Sequence, residues 1–405
     1  MKTIIPNGWK EKTLSDLCHI EIGKTPSRSN ALYWDKQKNT SNVWLSIADL
    51  NNIIDKNVYD SKEYLSNLGA DIVKVVKKGT LLLSFKLTLG RVAFAGKDLR
   101  TNEAIAQLPI KNAKFDIDKY YLYYYLKFFD YESLLKGDVK VKGKTLNKEK
   151  LKLLPVFFPS LPEQQRIVAK LDKAFEAIDR AKTIAENNLK NAKELFESTL
   201  NEVFTKNSDD WEEKKLGEIC DKAFNRKISK DENEKFIYID ITSIDNKQNR
   251  IIKPKECNGA NAPSRARQIV KKDDVIFSTV RTYLKNIAYV DELYDNQIAS
   301  TGFCVIRTNK AKMIGKFIFY KTLTKSFLEP LSILQTGANY PAIRDDDLFD
   351  QIVKYPSVLE QQKIVEQLDK LQEQTKQLEA VYERKSKECD ELKQAILHQA
   401  FRGEL

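Results

Sequence analysis

The fold is decided by the stretch Pro159-Ser160-Leu161-Pro162-Glu163-Gln164-Gln165-Arg166-Ile167-Val168, because the chain repeats it as Pro356-Ser357-Val358-Leu359-Glu360-Gln361-Gln362-Lys363-Ile364-Val365. The two copies lie 197 residues apart, and the correspondence continues without a gap to Phe204 and Phe401. A period of this length is too long for a solenoid repeat. The pattern therefore indicates that one half of the chain is a copy of the other.

Each copy is predicted to form one long helix. Apolar residues recur at alternating spacings of three and four, which is the heptad pattern of a coiled coil. Pro162 falls in the first turn, where a helix tolerates proline, and about 45 helical residues would make a rod of about 65 Å. An isolated heptad helix is unstable in water, so the other copy is the simplest partner. The predicted helix-pairing residues are Ile167, Leu171, Ile178, Leu195, Ile364, Leu368, Leu371, Leu378, Leu392 and Ile396.

The composition indicates a soluble intracellular chain with room for two cores. It has 405 residues, 42% of them hydrophobic. Its five cysteines form no CxxC pair and it has two histidines, so a zinc site or a disulfide framework is not expected and a reducing compartment fits. The N-terminus lacks the apolar region of a signal peptide, and no run approaches the roughly 18 apolar residues of a membrane span. We therefore expect a cytoplasmic protein without a metal site.

The net charge of +11 is unevenly distributed. Residues 1–158 carry 27 Lys and Arg against 17 Asp and Glu, and residues 207–354 carry 25 against 22. The two helical segments are neutral or slightly acidic, so the basic excess lies in the globular segments. This distribution predicts that the globular segments meet a polyanion. The alternative is a lysine-rich surface that serves only solubility.

The two globular segments are also related to each other, although more weakly. The matching stretches are residues 9–18 with 211–220, at an offset of 202, and residues 75–79 with 269–273, at an offset of 194. The drift in offset belongs in loops that carry different recognition surfaces on one scaffold.

Short apolar runs bounded by polar turns predict strands within each segment. The predicted strands are residues 79–84, 92–95, 274–279 and 286–290, the predicted helices are 118–129 and 312–328, and a polar linker is predicted at 205–210. The fold class is therefore α+β, with two globular domains that are each followed by a long helix. The predicted boundaries are 1–158 for the first domain, 159–206 for the central helix, 207–354 for the second domain and 355–405 for the C-terminal helix.

No catalytic set emerges from the sequence. The stretch from Gly137 to Thr145 resembles a P-loop, but it has five residues between its glycines where that motif needs four. His19 and His398 lie in opposite copies, and the aspartates at 345–347 are better placed to begin a helix than to bind a metal. No dinucleotide-binding glycine motif and no Asn-Pro-Pro-Tyr or Asp-Pro-Pro-Tyr motif is present. The chain is therefore not expected to be an enzyme.

Basic and polar clusters recur at matching places in the two domains. Arginine and asparagine beside serine and threonine suit base edges in the major groove, and lysines suit phosphates. In the first domain the candidate DNA-binding residues are Lys24, Thr25, Ser27, Arg28, Lys86, Thr88, Arg91, Lys140, Lys142 and Lys144. In the second domain they are Arg226, Lys227, Arg265, Arg267, Arg281, Tyr283, Lys285, Asn339 and Tyr340. Each cluster taken singly is more typical of ordinary surface, and it is their recurrence in both domains that favours contact with DNA.

The order of parts resembles the specificity subunit of type I restriction–modification systems, over nearly the whole chain. The residues that carry the resemblance are the repeated stretches 161–167 and 358–364, the tail Phe401-Arg402-Gly403-Glu404-Leu405, the openings at Trp9 and Trp211, and the stretches 79–84 and 90–93. Two departures are Leu359 in place of Pro162, and Leu284-Lys285-Asn286 in place of Gly90-Arg91.

The resemblance implies a non-catalytic reader of double-stranded DNA. Each domain would bind one half of a split target in the major groove, and the two helices would pack antiparallel with approximate two-fold symmetry. Two methyltransferase subunits would dock on this frame and bring S-adenosylmethionine. Motor–nuclease subunits would bring ATP hydrolysis, with Mg²⁺, and cleavage. No cofactor is expected in this chain.

Three alternatives stay open at the level of sequence. A coiled-coil scaffold that joins protein partners would bind DNA weakly and without salt dependence, whereas a DNA reader loses affinity steeply with salt. A self-contained restriction enzyme would need to cleave DNA with Mg²⁺ alone. An orphan subunit would keep its recognition domains without its partners. A rod of about 65 Å is near two turns of B-DNA at about 34 Å each, which favours two domains that read the same face of one duplex.

Overall fold

The computed structural model describes residues 6, 8–111, 116–135, 144–206 and 211–405. The chain divides into two compact units. The first unit consists of Met1–Ile184 with Lys385–Leu405, and the second unit consists of Ala185–Arg384. Each long helix therefore contributes residues to both units.

The two long helices are present as predicted. The central helix spans Leu161–Lys206 and has 46 residues, and the C-terminal helix spans Val358–Phe401 and has 44 residues. Pro162 lies in the first turn of the central helix, where no backbone N–H is needed for an intrahelical bond. The linker prediction is wrong at residues 205 and 206, because both are helical. Residues 207–210 lie outside the described residues.

The first domain is built on a five-stranded sheet. Its central strand, Leu81–Ser84, is fully buried and pairs antiparallel with both Val92–Ala95 and Ile105–Leu108. Glu21–Ile22 and Asn57–Val58 form the two edges. The remaining strands form three smaller sheets. Two of them are two-stranded and pair Lys10–Thr13 with Pro155–Phe158 and Lys86–Leu87 with Lys144–Thr145. The third is three-stranded, with Val43–Leu45 between Glu63–Tyr64 and Arg100–Thr101.

The main helix of the first domain is Lys119–Phe128, close to the predicted range. The Asp118 carboxylate begins it by accepting hydrogen bonds from the backbone N–H groups of Tyr120 and Tyr121. Shorter α-helices span Leu14–Leu17, Asn67–Asp71 and Lys148–Lys152, and 3₁₀ turns span Ala31–Tyr33, Ile47–Asn51 and Tyr131–Leu135.

The second domain repeats this plan with two four-stranded sheets. One has the order Cys220–Asp221, Phe303–Thr308, Val275–Ser278 and Ile287–Tyr289, and the other has the order Lys255–Cys257, Phe236–Ile239, Ile298–Ser300 and Ala266–Ile269. Two-stranded pairs join Glu212–Lys215 to Ile352–Tyr355 and Ile244–Asp245 to Arg250–Ile251.

The helix predicted over residues 312–328 is two helices, Gly315–Thr322 and Lys325–Leu334. Thr324 has an extended backbone and precedes the second helix, which breaks the helical path. A further α-helix, Asp345–Phe349, begins at the aspartates as predicted. The 3₁₀ turns are Leu216–Glu218, Ile241–Ser243, Thr282–Leu284 and Glu292–Tyr294.

The core of each unit takes side chains from both long helices. In the first unit, Leu171 from the start of the central helix and Phe401 from the end of the C-terminal helix pack in one cluster with the domain. In the second unit, Leu368 and Phe204 do the same. The last turns of each helix therefore complete the core of the domain in the other half of the chain.

Within the first unit the two helices run antiparallel. Arg166 donates a hydrogen bond to the backbone carbonyl of Leu405, and Lys182 forms a 2.7 Å ion pair with Asp390. Lys393 pairs with Asp179. The residue numbers rise on one helix as they fall on the other, which defines the antiparallel register.

Burial follows the predicted heptad positions in the first turns of each helix and departs from them near the ends. Ile167, Leu171, Ile178, Ile364 and Leu368 are buried, and Leu371 and Ile396 are half-buried. Leu195 and Leu392 are 46% and 50% exposed. Near these helix ends the buried residues are those that pack into the domain cores, such as Phe204 and Phe401. A straight α-helix also drifts by about 20° per heptad from a 3.5-residue repeat. Leu378 is 41% exposed, and Thr375 is the buried residue of that turn.

Candidate nucleic-acid interface

Each domain carries a loop directly after its central strand. The strands end at Ser84 and Ser278, and three residues later the backbone is left-handed, with φ of +63° at Leu87 and +51° at Arg281. This conformation is rare for residues other than glycine, asparagine and aspartate. The two domains therefore share a left-handed residue at this position although its side chain differs.

Backbone pairing pins both loops. Leu87 lies opposite Lys144 in a short antiparallel ladder, and the N–H of Arg281 donates a 2.7 Å hydrogen bond to the carbonyl of Pro341. In the first domain the loop closes at Gly90, whose φ is +78°. A Cβ atom there would lie 2.8 Å from the Tyr131 ring, so only glycine fits.

In the second domain the structure brings together two of the predicted clusters, residues 281–285 and 339–340. The guanidinium of Arg281 lies over the Tyr340 ring, 4.7 Å from its centroid. Its Nη2 donates a 3.0 Å hydrogen bond to the carbonyl of Asn339, while Nε is buried without a partner in the described structure. Tyr340 itself is 70% exposed. A fixed cation therefore lies against an exposed ring.

Tyr283 and Lys285 lie in the same loop and differ in exposure and in bonding partners. Tyr283 is exposed. Lys285 is left-handed at φ +53°, its carbonyl accepts a 2.9 Å hydrogen bond from the Asn249 side chain, and its Nζ lies 3.4 Å from a carboxylate oxygen of Glu197 on the central helix. The lysine charge is thus partly compensated within the second unit.

The other second-domain candidates gather beside this loop. The carbonyl of Arg267 accepts a 2.7 Å hydrogen bond from the N–H of Arg226, whose guanidinium pairs with Glu232. The carbonyl of Arg265 accepts a 2.9 Å bond from Thr301. Gly302 follows Thr301, and its carbonyl accepts a 3.3 Å hydrogen bond from the N–H of Thr279. Thr279 lies two residues before Arg281. Lys227 is exposed in the same segment as Arg226.

In the first domain, Arg28 is held by protein groups. Its guanidinium lies 4.1 Å from the ring centroid of Trp34 and 4.9 Å from that of Trp44. It also makes a bidentate ion pair with Glu63, one arm of which is 3.0 Å. The hydrogen bonds to Glu63 raise the pKa of the guanidinium. Sequence reasoning picked Arg28 as a DNA contact and missed the two tryptophans and the glutamate that hold it.

Glu103 joins the first two basic clusters of this domain. Its carboxylate accepts a hydrogen bond from the hydroxyl of Thr25. Burial acts to raise the pKa of the Glu103 carboxyl, but the bond from Thr25 and the charges of Lys86 and Arg28 lower it overall. The clusters at 24–28 and 86–91 are therefore neighbours.

The other first-domain candidates are placed as follows. Lys24, Ser27 and Thr88 are exposed. Arg91 donates a 3.0 Å hydrogen bond to the carbonyl of Ile47, so its guanidinium has a structural partner. Lys140 and Lys142 lie outside the described residues, as does most of the P-loop-like stretch, and of Lys144 only the strand pairing is described.

Other chemistries find little support in the part of the chain that the structure describes. No group of His, Cys, Asp and Glu side chains there is arranged to hold a metal ion, and none of the described helices has the length and apolarity to cross a bilayer. Burial raises the pKa of the Cys18 and Cys220 thiols to about 12, so both stay protonated near neutral pH.

Comparison with known proteins gives a family match for each half of the chain. The model for the type I restriction modification DNA specificity domain matches residues 6–190 and again residues 208–385. The specificity subunit of the type I restriction enzyme MjaIX of Methanocaldococcus jannaschii is 29% identical over 237 residues, which are 53% of this chain and 52% of that protein. The specificity subunit of the HindI enzyme of Haemophilus influenzae is 24% identical over 159 residues, or 39% of this chain and 34% of that protein. The chain thus spans about half the length of the first relative and a third of the second.

Solved structures share the fold over the full length. A chain from work on complex assembly and conformational transition of the type I R-M system superposes with a TM-score of 0.76 at 20% identity, covering 99% of this chain and 100% of that chain. The HsdS subunit from Thermoanaerobacter tengcongensis superposes with a TM-score of 0.57 at 20% identity, covering 99% and 98%. At these identities the likeness shows the fold: two α+β domains, an internal repeat and two long helices.

Proposed function

The chain belongs to the family of type I restriction–modification DNA specificity domains, and on that premise we propose that it is the DNA-reading subunit of such a system, with each domain reading one half of a split target. DNA recognition is the role that the family implies. The two-part reading is supported by the duplication, since each unit has its own domain, core and exposed loop.

One observation carries the proposal: each domain has a left-handed residue three positions after the corresponding strand, and the side chain at that position differs. Leu87 and Arg281 both have a positive φ after corresponding strands. Arg28 stacks on tryptophans in the first domain, and Arg281 stacks on a tyrosine in the second. A common scaffold with different exposed groups fits two readers of two different short sequences.

The long helices are proposed to set the distance between the half-sites and to dock two methyltransferase subunits. Both helices contribute to both units, and each ends in the core of the domain from the other half of the chain, as Phe204 and Phe401 do. The catalytic steps would lie in partner subunits, which would use S-adenosylmethionine for methylation and ATP with Mg²⁺ for translocation and cleavage.

The test is to co-express the chain with a type I methyltransferase subunit from the same genome and to map methylated adenines across the host genome. A split motif with a fixed gap, present only when both proteins are made, is the expected result. Cells with the methyltransferase alone are the control. Methylation at an unsplit motif, or none in the presence of an active methyltransferase, would contradict the proposal and favour a protein-joining scaffold.

A further inference from the structure

Leu87 and Arg281 are equivalent residues in the two domains. They lie 194 residues apart, the same offset that relates the preceding strands Leu81–Ser84 and Val275–Ser278, and both have positive φ. The left-handed conformation is unfavourable for an ordinary L-residue, and glycine would remove that cost. A side chain is therefore retained at this position in both domains although the backbone would favour its absence.

The side chain of Arg281 is orientated before any ligand arrives. Tyr340 covers one face of the guanidinium at 4.7 Å from the ring centroid, and the carbonyl of Asn339 holds Nη2 at 3.0 Å. Each Nη atom of arginine carries two hydrogens, so this bond leaves a second hydrogen on Nη2 beside those of Nη1. Such a fixed planar fork suits a pair of acceptors in one plane.

The chemistry at position 87 is different. Leu87 is 62% exposed, so a large apolar side chain lies in water where the loop pairs with Lys144. In the major groove the C5 methyl of thymine is the apolar group that such a side chain would contact, whereas guanine presents O6 and N7 as paired acceptors for arginine. The two loops are thus equipped for two different bases.

We propose that residues 87 and 281 determine base specificity: Arg281 reads a guanine through O6 and N7, and Leu87 reads a thymine through its methyl group. This inference rests on the proposed DNA-reading function and deepens it. Tyr340 and Asn339 act as positioning residues for Arg281, since they hold its guanidinium plane.

The experiment maps the methylated motif in cells that contain the same methyltransferase subunit and either the wild-type chain or a variant. Arg281→Lys keeps the positive charge and loses the fork, and Arg281→Leu imports the first domain's residue. Both are expected to lower discrimination at one guanine position by about 5- to 150-fold, with every other position of the motif unchanged. Retained methylation at relaxed sites also shows that the variant folds.

Leu87→Ala is expected to lower discrimination at one thymine in the other half of the motif. The control for Arg281 is Lys310→Gln. Lys310 forms a 2.9 Å ion pair with Asp273. Asp273 lies at the opposite end of the strand Val275–Ser278 from Arg281. The control for Leu87 is Leu68→Ala, at a leucine with 60% exposure in the same domain. Neither control should alter the motif.

The outcomes separate this inference from the proposed function. A wild-type chain that directs no split motif overturns the proposed function, whatever the variants do. A wild-type split motif in which Arg281→Leu relaxes no guanine overturns only the inference. Uniform weakening by Arg281→Leu with unchanged base preferences also overturns it, since that result assigns Arg281 to a phosphate.

Discussion

Gln164 and Gln361 occupy the same position in the two copies, are fully buried, and make the same set of hydrogen bonds. The side-chain oxygen of Gln164 accepts a 2.8 Å bond from the N–H of Asp118. Its Nε2 donates to the carbonyls of Asp116 and Pro159 at 2.8 and 2.9 Å. This one amide ties the start of the central helix to the start of the main helix of the first domain.

Gln361 repeats the arrangement in the second unit. Its oxygen accepts a 2.9 Å bond from the N–H of Ile314, and its Nε2 donates to the carbonyls of Lys312 and Pro356, each at 2.9 Å. The second glutamine of each motif, Gln165 or Gln362, is exposed. The repeated Glu-Gln-Gln motif is therefore explained at its first glutamine by the three backbone groups that its buried side chain satisfies in each unit.

Replacing either buried glutamine by leucine is expected to destabilise its own unit. Leucine removes the partner of one N–H and two carbonyls, and the bond to the carbonyl of Pro159 or Pro356 is buried. A buried group left unpaired costs about 1–3 kcal/mol. The free energy of unfolding of Gln164→Leu and of Gln361→Leu should therefore be lower than that of the wild-type chain by at least about 1–3 kcal/mol, the cost of one unpaired group. The measurement is urea unfolding monitored by circular dichroism. Gln165→Leu and Gln362→Leu are the matched controls. Equal stability of all four variants would show that the buried amides are not needed.

The long helices were predictable from the sequence because a gapless repeat and a heptad pattern are local signals. The sequence could not show that the first glutamine of the motif is the buried one, since its partners lie nearly fifty positions away at Asp116 and Asp118. It also placed Leu195 and Leu392 in the seam, because heptad counting does not include the domain cores that redirect the last turns.

The sequence predicted which residues belong to the candidate site, but it did not predict which of them are in contact. The clusters at Arg281 and Tyr340 were both singled out, but a separation of 59 residues hides the fact that their side chains meet. Conversely, Arg28 reads as a free cation in the sequence, whereas Glu63 and two tryptophans hold it in the fold. Long-range pairing decides which basic residues remain available to DNA, and no local pattern encodes it.

Glu63→Gln is expected to strengthen binding of DNA by the first domain. The carboxylate pairs with Arg28, so its removal leaves the guanidinium to interact with phosphate. The slope of the logarithm of the binding constant against the logarithm of salt concentration should steepen by about 0.9, the value for one additional phosphate contact. The measurement is a fluorescence-anisotropy titration of a duplex at several salt concentrations.

The matched control for Glu63 is Glu149→Gln, which removes an exposed carboxylate that pairs with Lys152 at 2.8 Å in the same domain. The slope of its logarithmic binding constant against logarithmic salt concentration should differ from that of the wild-type chain only by the non-specific effect of losing one negative charge. If the Glu63 and Glu149 variants behave alike, Arg28 does not contact the backbone of DNA.

Binding of the wild-type chain to its target duplex is expected to weaken steeply with salt. Each neutralised phosphate contributes about −0.9 to the slope, and several basic residues near each loop, including Lys24, Lys86 and Lys227, are exposed or half-buried. The titration compares a duplex with the mapped motif and one with a scrambled motif. Salt-insensitive binding of both duplexes would favour the protein-joining scaffold.

The last prediction concerns the distance between the half-sites. Both long helices enter both units, so shortening them together should shorten the spacer of the target and leave the half-sequences unchanged. Deleting residues 185–191 and 382–388 removes seven residues at the same position of both copies. Seven residues are about 10 Å of helix, which corresponds to about three base pairs at roughly 3.4 Å each.

The readout is selection of bound sequences from random duplexes, because it reports half-sequences and spacer in one experiment. A full heptad is removed so that the apolar face of each helix turns by only about 20° and the helix ends still meet the domain cores. The control keeps the length and replaces exposed residues of the same segments, as in Glu186→Ala with Lys387→Ala. A shorter spacer with the same half-sequences is expected for the deletion alone. An unchanged spacer would mean that something other than the helices sets the distance.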